Sequence, residues 1–109
     1  MEQLNRIELI GIVGAVRTHN IADKVITRIS VATNYAYKDK DGCYVIETTW
    51  HNVTNFGECV ELGKGDSVHI VGRLRQQRYV DANGNDRISY EIVASSVEKI
   101  EEKVGVSAK

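Results

Sequence analysis

The chain has 109 residues, of which 42% are hydrophobic and 27% charged, and a formal net charge of −1. That length and apolar content suit one soluble domain with its own core, and no apolar run reaches the roughly 18 residues of a transmembrane helix. A near-neutral sum speaks mildly against a polyanion binder, although where the charges sit matters more than their total.

The first residues, Met1-Glu2-Gln3-Leu4-Asn5-Arg6, lack a basic flank followed by an apolar block and a small-residue cleavage site. No secretory signal is expected there, which points to a cytoplasmic protein with no membrane partner. Cys43 and Cys59 form no C-x-x-C pair, and His19, His51 and His69 complete no zinc pattern. Two reduced thiols, no metal and no cofactor are therefore expected.

Residues 4–16 read as a long first strand. Ile7 and Leu9 alternate with Arg6 and Glu8 until the pattern breaks at Ile10-Gly11-Ile12-Val13-Gly14. Glycine inside a strand marks a bulge or bend, which lets one strand serve two sheets. The pair is not a phosphate loop, because neither G-x-G-x-x-G nor a helix pattern follows. Residues 18–24 are polar and are expected as a loop.

A second strand is expected over residues 25–34, with Val25, Thr27, Ile29, Val31 and Thr33 on one face and Ile26, Arg28, Ser30 and Ala32 on the other. Tyr35-Ala36-Tyr37 closes it. Lys38-Asp39-Lys40-Asp41-Gly42 then reads as an exposed hairpin loop, with Asp-Gly as its turn signal.

The third strand, residues 44–56, holds the only Trp and the only Phe. Ile46, Thr48, Trp50, Asn52, Thr54 and Phe56 line one face; Val45, Glu47, Thr49, His51 and Val53 line the other. A face that alternates polar residues with large rings suits a platform for flat ligands, while rings also fill cores.

Glu58-Cys59-Val60-Glu61-Leu62 has room for about one helical turn before Gly63. Gly63-Lys64-Gly65 reads as a turn, since no Ser or Thr follows the Lys as a P-loop requires. A fourth strand is expected over residues 67–80. Val68, Ile70, Gly72 and Leu74 share one face, and His69, Val71, Arg73, Arg75, Gln77 and Tyr79 the other. Asp81-Ala82-Asn83-Gly84-Asn85-Asp86 carries the Asn-Gly hairpin signal, and residues 87–97 form the fifth strand. Residues 98–109 are mixed in charge. The domain is expected to span residues 1–100, with a short frayed tail over 101–109.

Five strands and no proline fit an all-β fold: a five-stranded Greek-key barrel of the OB type, with at most a short helix between the third and fourth strands. Such barrels bind oligonucleotides or oligosaccharides, so the residues must decide the ligand. Tyr37, Trp50, Phe56 and Tyr79 come from separated segments, and Arg73, Arg75 and Arg78 fall within six residues that contain no acid. Rings beside guanidinium groups suit single-stranded nucleic acid: bases stack on the rings while cations track the phosphates. No set of side chains aimed at base edges is evident in the pattern.

The chain resembles the DNA-binding domain of bacterial single-stranded DNA-binding proteins. The matching runs are Asn5-Arg6-Ile7 through Gly14, Val31-Ala32-Thr33-Asn34 with Lys38-Asp39-Lys40, Thr49-Trp50-His51-Asn52-Val53 with Phe56-Gly57, Gly63-Lys64-Gly65 with Gly72-Arg73-Leu74-Arg75, and Gly84, Asp86-Arg87 and Tyr90-Glu91. The resemblance implies stacking on Tyr37, Trp50, Phe56 and Tyr79, with Tyr at two positions that are often Trp in the family. Phosphate contacts are expected from Lys38, Arg73, Arg75, Arg78 and Arg87. The resemblance also implies sequence-tolerant protection of single-stranded DNA in replication, recombination and repair, a nucleoid-associated location, and a homotetramer in which the first strand pairs between subunits. The family's Gly/Pro/Gln-rich linker and acidic Pro-Phe tip have no counterpart here, so recruitment of replication and repair proteins is left out of the expectation.

Two other classes stay open at this level. One is a dimeric OB protein of the primosomal type, or an RNA- or oligosaccharide-binding module. The other is an enzyme, which would need a convergent nucleophile and base or a metal; no such motif stands out.

Overall fold

The computed structural model describes residues 2–101. Its strands are β1 (Ile7–Ile21), β2 (Lys24–Lys38), β3 (Tyr44–Phe56), β4 (Ser67–Val80) and β5 (Asp86–Ile100). They close into one barrel in the order β1-β2-β3-β5-β4. The β3–β5 contact is parallel and the other pairs are antiparallel. This is the five-stranded Greek-key barrel expected from the alternation.

The core consists of Val13, Ile29, Val31, Val53, Val68, Ile70 and Ile92. All are β-branched, and stiff branched side chains pack well on a pleated surface. Each fully buried Val or Ile stabilises the fold by roughly 1.5–3 kcal/mol. The odd positions of β2 and β3 point inward, which leaves their even positions facing out.

Strand β1 serves both halves of the barrel. Ile7 to Ile12 pair with β4; from Ile12 onward the strand pairs with β2, with a register shift between Val13 and Ala15. The glycine-rich break in the pattern is that bend.

Several strand ends differ from the sequence reading, beginning with β1, which starts at Ile7 and not at residue 4. Residues 18–24 are not a loop: β1 runs on to Ile21, β2 starts at Lys24, and only Ala22 and Asp23 turn, with Ala22 at φ 55°. Thr18, His19 and Asn20 are polar because this end of the ladder is wet, not because it is unpaired. Strand β2 likewise continues through Tyr35-Ala36-Tyr37 to Lys38, and β5 reaches Ile100. The expected frayed tail falls almost wholly on residues 102–109, outside the described residues.

The helical turn for which Glu58–Leu62 had room is not formed; residues 57–66 carry no helix. A single turn fixes many dihedrals for few hydrogen bonds. Here Cys59 and Leu62 pack against the core instead, and the Asn55 amide donates to the carbonyls of Gly57 and Glu58 at 3.3 and 3.1 Å.

The two long hairpins end in the same turn. In Asp39–Cys43 and in Asp81–Asn85, one Asp carboxylate oxygen accepts two backbone N–H groups at 2.9 Å. The Gly two residues before each β-strand, Gly42 or Gly84, sits at φ 82° and donates to the Asp carbonyl at 3.0 Å. That left-handed position favours glycine over any other residue.

Candidate nucleic-acid interface

The outward row of β3 is the platform. Trp50 is 60% and Phe56 51% exposed, whereas Val53 between them is buried. Cross-strand pairing sets Ala32 beside Trp50, Ser30 beside Asn52, Arg28 beside Thr54 and Ile26 beside Phe56. On the far side of β2, Ala15 lies opposite Ser30 and Arg17 opposite Arg28.

Trp50 lies flat because Gly14 lets it. A Cβ at Gly14 would meet the indole ring at 2.5 Å. The bulge in β1 therefore serves the platform as well as the barrel: without a side chain there, the indole covers the backbone of β1.

Phe56 is held by a polar clamp. The Arg75 guanidinium lies 5.8 Å from the ring centroid, within cation–π range. Glu91 fixes that guanidinium, accepting from Arg75 Nε at 2.8 Å and from Nη2, and it also accepts from the Thr54 hydroxyl at 2.7 Å. Burial pushes the Glu91 carboxyl upward, but the Thr54 and Arg75 hydrogen bonds and the charges of Arg75 and Arg28 outweigh it, and its pKa is lowered. Glu91, the one acid bordering this concavity among the described residues, is thus ionised and already spent on neighbouring donors.

The β4–β5 hairpin forms the opposite wall. Tyr79 pairs with Arg87, Gln77 with Ser89 and Arg75 with Glu91, all on one face. Gln77, Ser89 and Glu91 border the same concavity as Arg28, Asn52 and Thr54. Tyr79, at 51% exposure, continues this face toward the hairpin tip.

The expected site residues do not all share one surface. Trp50, Phe56, Arg75 and Tyr79 border the groove. Tyr37 pairs with Val45, which puts it on the face of the β2–β3 ladder opposite Trp50, where it stacks on Tyr35 at 6.0 Å between centroids. Lys38 is on the Trp50 side, 5.2 Å from the Tyr44 ring. Arg78 pairs with Ile88, on the face of β4–β5 away from Tyr79. Arg73 is exposed beside Asn5 and Arg6. Arg87 is held by Asp81 at 2.9 Å, a bond that lowers the Asp81 pKa.

Sequence reasoning missed Arg17, Arg28, Asn52 and Gln77 as groove residues. Their outward parity on each strand was readable; the register that brings four strands' outward rows together was not. Tyr44, 74% exposed in the Trp50 row, was also missed.

This geometry, a closed OB barrel with rings and guanidinium groups on one outward face, accompanies a clear family match. Residues 4–100 match the single-strand binding protein family. The chain belongs to that family, whose members bind single-stranded DNA and are not enzymes. It is 36% identical over 112 residues to "Single-stranded DNA-binding protein 1" of Xylella fastidiosa, covering 94% of this chain and 82% of that protein. A Xanthomonas axonopodis single-stranded DNA-binding protein is 33% identical over 89% of this chain, which spans only 58% of that relative's length. Among solved structures, a Plasmodium falciparum SSB complex with ssDNA superposes with a TM-score of 0.84 at 23% identity, covering 93% of this chain and 98% of that one. A small single-stranded DNA-binding protein from Streptomyces coelicolor gives 0.68 at 22% identity, with 92% and 96% covered. The solved structures share the barrel.

Proposed function

We propose that this chain binds single-stranded DNA with little regard to sequence, by stacking bases on aromatic side chains under a fringe of cations. The observation that carries this is the exposed indole of Trp50, lying over Gly14 in a groove where the Glu91 carboxylate is paired with Arg75. Trp50 and Phe56 take bases directly, and Tyr79 extends the track along the β4–β5 hairpin. Tyr37 meets the strand where it leaves over the β2–β3 hairpin. Stacking on such a ring is worth ~1–3 kcal/mol per base, a range that comes from OB-fold single-strand binders of this kind and not from this molecule.

Phosphate contacts fall to Lys38, Arg73 and Arg78, which have no ion-pair partner among the described residues, with Arg17 added from the groove. Arg75 and Arg87 reach phosphate while tethered by Glu91 and Asp81. The chain acts in the cytoplasm, at the nucleoid, protecting strands exposed in replication, recombination and repair. Self-association is supported by Ile10 and Ile12, 67% and 46% exposed on the outer side of β1, since grouped exposed apolar residues mark interaction sites. A homotetramer is the reading we adopt, with a homodimer as the other outcome of light scattering.

The test is competition. Labelled oligo-dT is expected to bind and to be displaced by unlabelled oligo-dT, but not by duplex DNA, and affinity should fall linearly in log[salt] through counterion release. Equal displacement by duplex DNA, or by an oligosaccharide, overturns the proposal.

A further inference from the structure

Between Trp50 and Phe56, the outward face of strand β3 carries no ring, although Tyr90 of β5 also borders the floor there. The two rings are six positions apart on β3, roughly 20 Å at ~3.4 Å per residue. Between them the groove floor is a concavity of about 220 Å³ bordered by Arg28, Asn52, Thr54, Gln77, Ser89 and Glu91. Its hydrogen-bonding groups divide sharply. The Glu91 carboxylate and the Thr54 hydroxyl are committed to each other, and Arg75 completes the set. Among the described residues, the side chains of Arg28, Asn52 and Gln77 make no hydrogen bond.

The unspent set is rich in donors. A guanidinium presents five N–H donors and no acceptor, whereas an amide offers both. Arg28 also sits directly across the ladder from Arg17, and like charges so placed repel. The Glu91 carboxylate, which feels the charge of Arg28, offsets part of that repulsion; an electron-rich oxygen between the two guanidinium groups offsets more, whereas an amino group adds another donor.

We propose that this concavity is a base-edge subsite that selects a keto-bearing base, guanine or thymine, over adenine or cytosine at one position of the bound strand. The inference rests on the single-strand reading above and adds selectivity to it. Guanine O6 and N7 accept a guanidinium fork, and thymine O4 accepts one donor. Adenine and cytosine set an exocyclic NH₂ against Arg28, donor against donor; the amides of Asn52 and Gln77 can accept that NH₂, so the discrimination rests on the Arg28 guanidinium. The amides of Asn52 and Gln77 turn either way, and so accept the imino N–H that both keto bases carry. Selectivity of this kind leaves the stacked positions tolerant, because each base has a π-face.

The experiment uses length-matched oligo-dC with one central residue replaced by dT, dG or dA, measured by fluorescence anisotropy at fixed salt. The expected result is roughly fivefold or tighter binding for the dT and dG strands than for the dA strand. Arg28→Lys keeps the positive charge but loses the fork, and Arg28 is exposed, so the fold survives and far-UV circular dichroism checks it. In that variant the keto-to-amino ratio should fall toward one. Equal binding of the three strands by the unmodified chain, or a ratio undiminished in Arg28→Lys, overturns this inference and leaves single-strand binding standing. No binding to any strand overturns both.

Discussion

The barrel has two outward faces that share strands β1, β4 and β5 but differ in what those strands present. On the β1–β2–β3 side, continued by the β4–β5 hairpin, Trp50 and Phe56 stand clear of the core, with Arg17, Arg28 and Arg75 around them. On the β1–β4–β5 side, His69 sits between two carboxylates: its Nε2 is 2.6 Å from Glu8 and its Nδ1 3.6 Å from Glu98. Ile10, the cross-strand neighbour of His69, is exposed beside them. A net charge of −1 is the sum of two unlike surfaces. Screening confines a charge's influence to about 10 Å at 0.1 M salt, so a strand in the groove responds to the local guanidinium groups and not to the total.

Removing the rings should break the contrast most strongly. Trp50→Ala and Phe56→Ala are each expected to weaken oligo-dT binding more than tenfold, and the double variant by about 2–6 kcal/mol. Both side chains are exposed, so thermal unfolding should move little; labelled-oligonucleotide anisotropy and a melting curve separate the two effects. Next in size, Glu91→Gln should lower stability by about 1–3 kcal/mol, because Arg75 loses a charged acceptor in a partly buried place. Denaturant unfolding reads this directly, and an unchanged midpoint would show that the clamp around Phe56 is dispensable.

Gly14→Ala tests the support of the platform. The added methyl collides with the indole, so Trp50 emission should shift and oligo-dT affinity drop severalfold while the barrel stays folded. The smallest effect belongs to the other face. The Glu8 hydrogen bond raises the His69 pKa above its ordinary 6.5, and the same bond lowers that of Glu8 below its ordinary 4.5. The pair therefore contributes most between those values. Its stabilisation fades as pH rises through the raised His69 value, and also as pH falls through the lowered Glu8 value. The melting temperatures of the unmodified chain and Glu8→Gln should differ most near about pH 5.5 and converge in alkaline solution. A constant difference across pH would remove His69 from the account.

Much of this was legible in the residues. The alternation Ile29, Val31 and Val53 against Arg28, Ser30 and Asn52 gave both the barrel and its inside, because period-two patterning is what a strand with one wet face requires. The glycines of β1 announced the bend, and Asp-Gly and Asn-Gly announced the hairpins. Strand ends were less legible. Thr18 to Asn20 and Tyr35 to Tyr37 lie past the barrel rim, where both faces are wet and composition no longer separates strand from loop. The site was legible in part for a related reason. Trp50, Phe56 and Tyr79 stood out as rings, but Arg28 joins Gln77 only through inter-strand register, and no single strand carries that information. Tyr79 and Arg78, by contrast, are separated by parity alone, which the sequence does carry: consecutive residues of β4 face opposite ways.

The central claim is that Trp50 is a base-stacking surface open to the strand. Because it is the only Trp, its emission reports on that one contact when oligo-dT is titrated at low salt. The account predicts saturable quenching that is reversed by added salt. Unchanged emission at saturating oligo-dT, with binding confirmed by anisotropy, would contradict it.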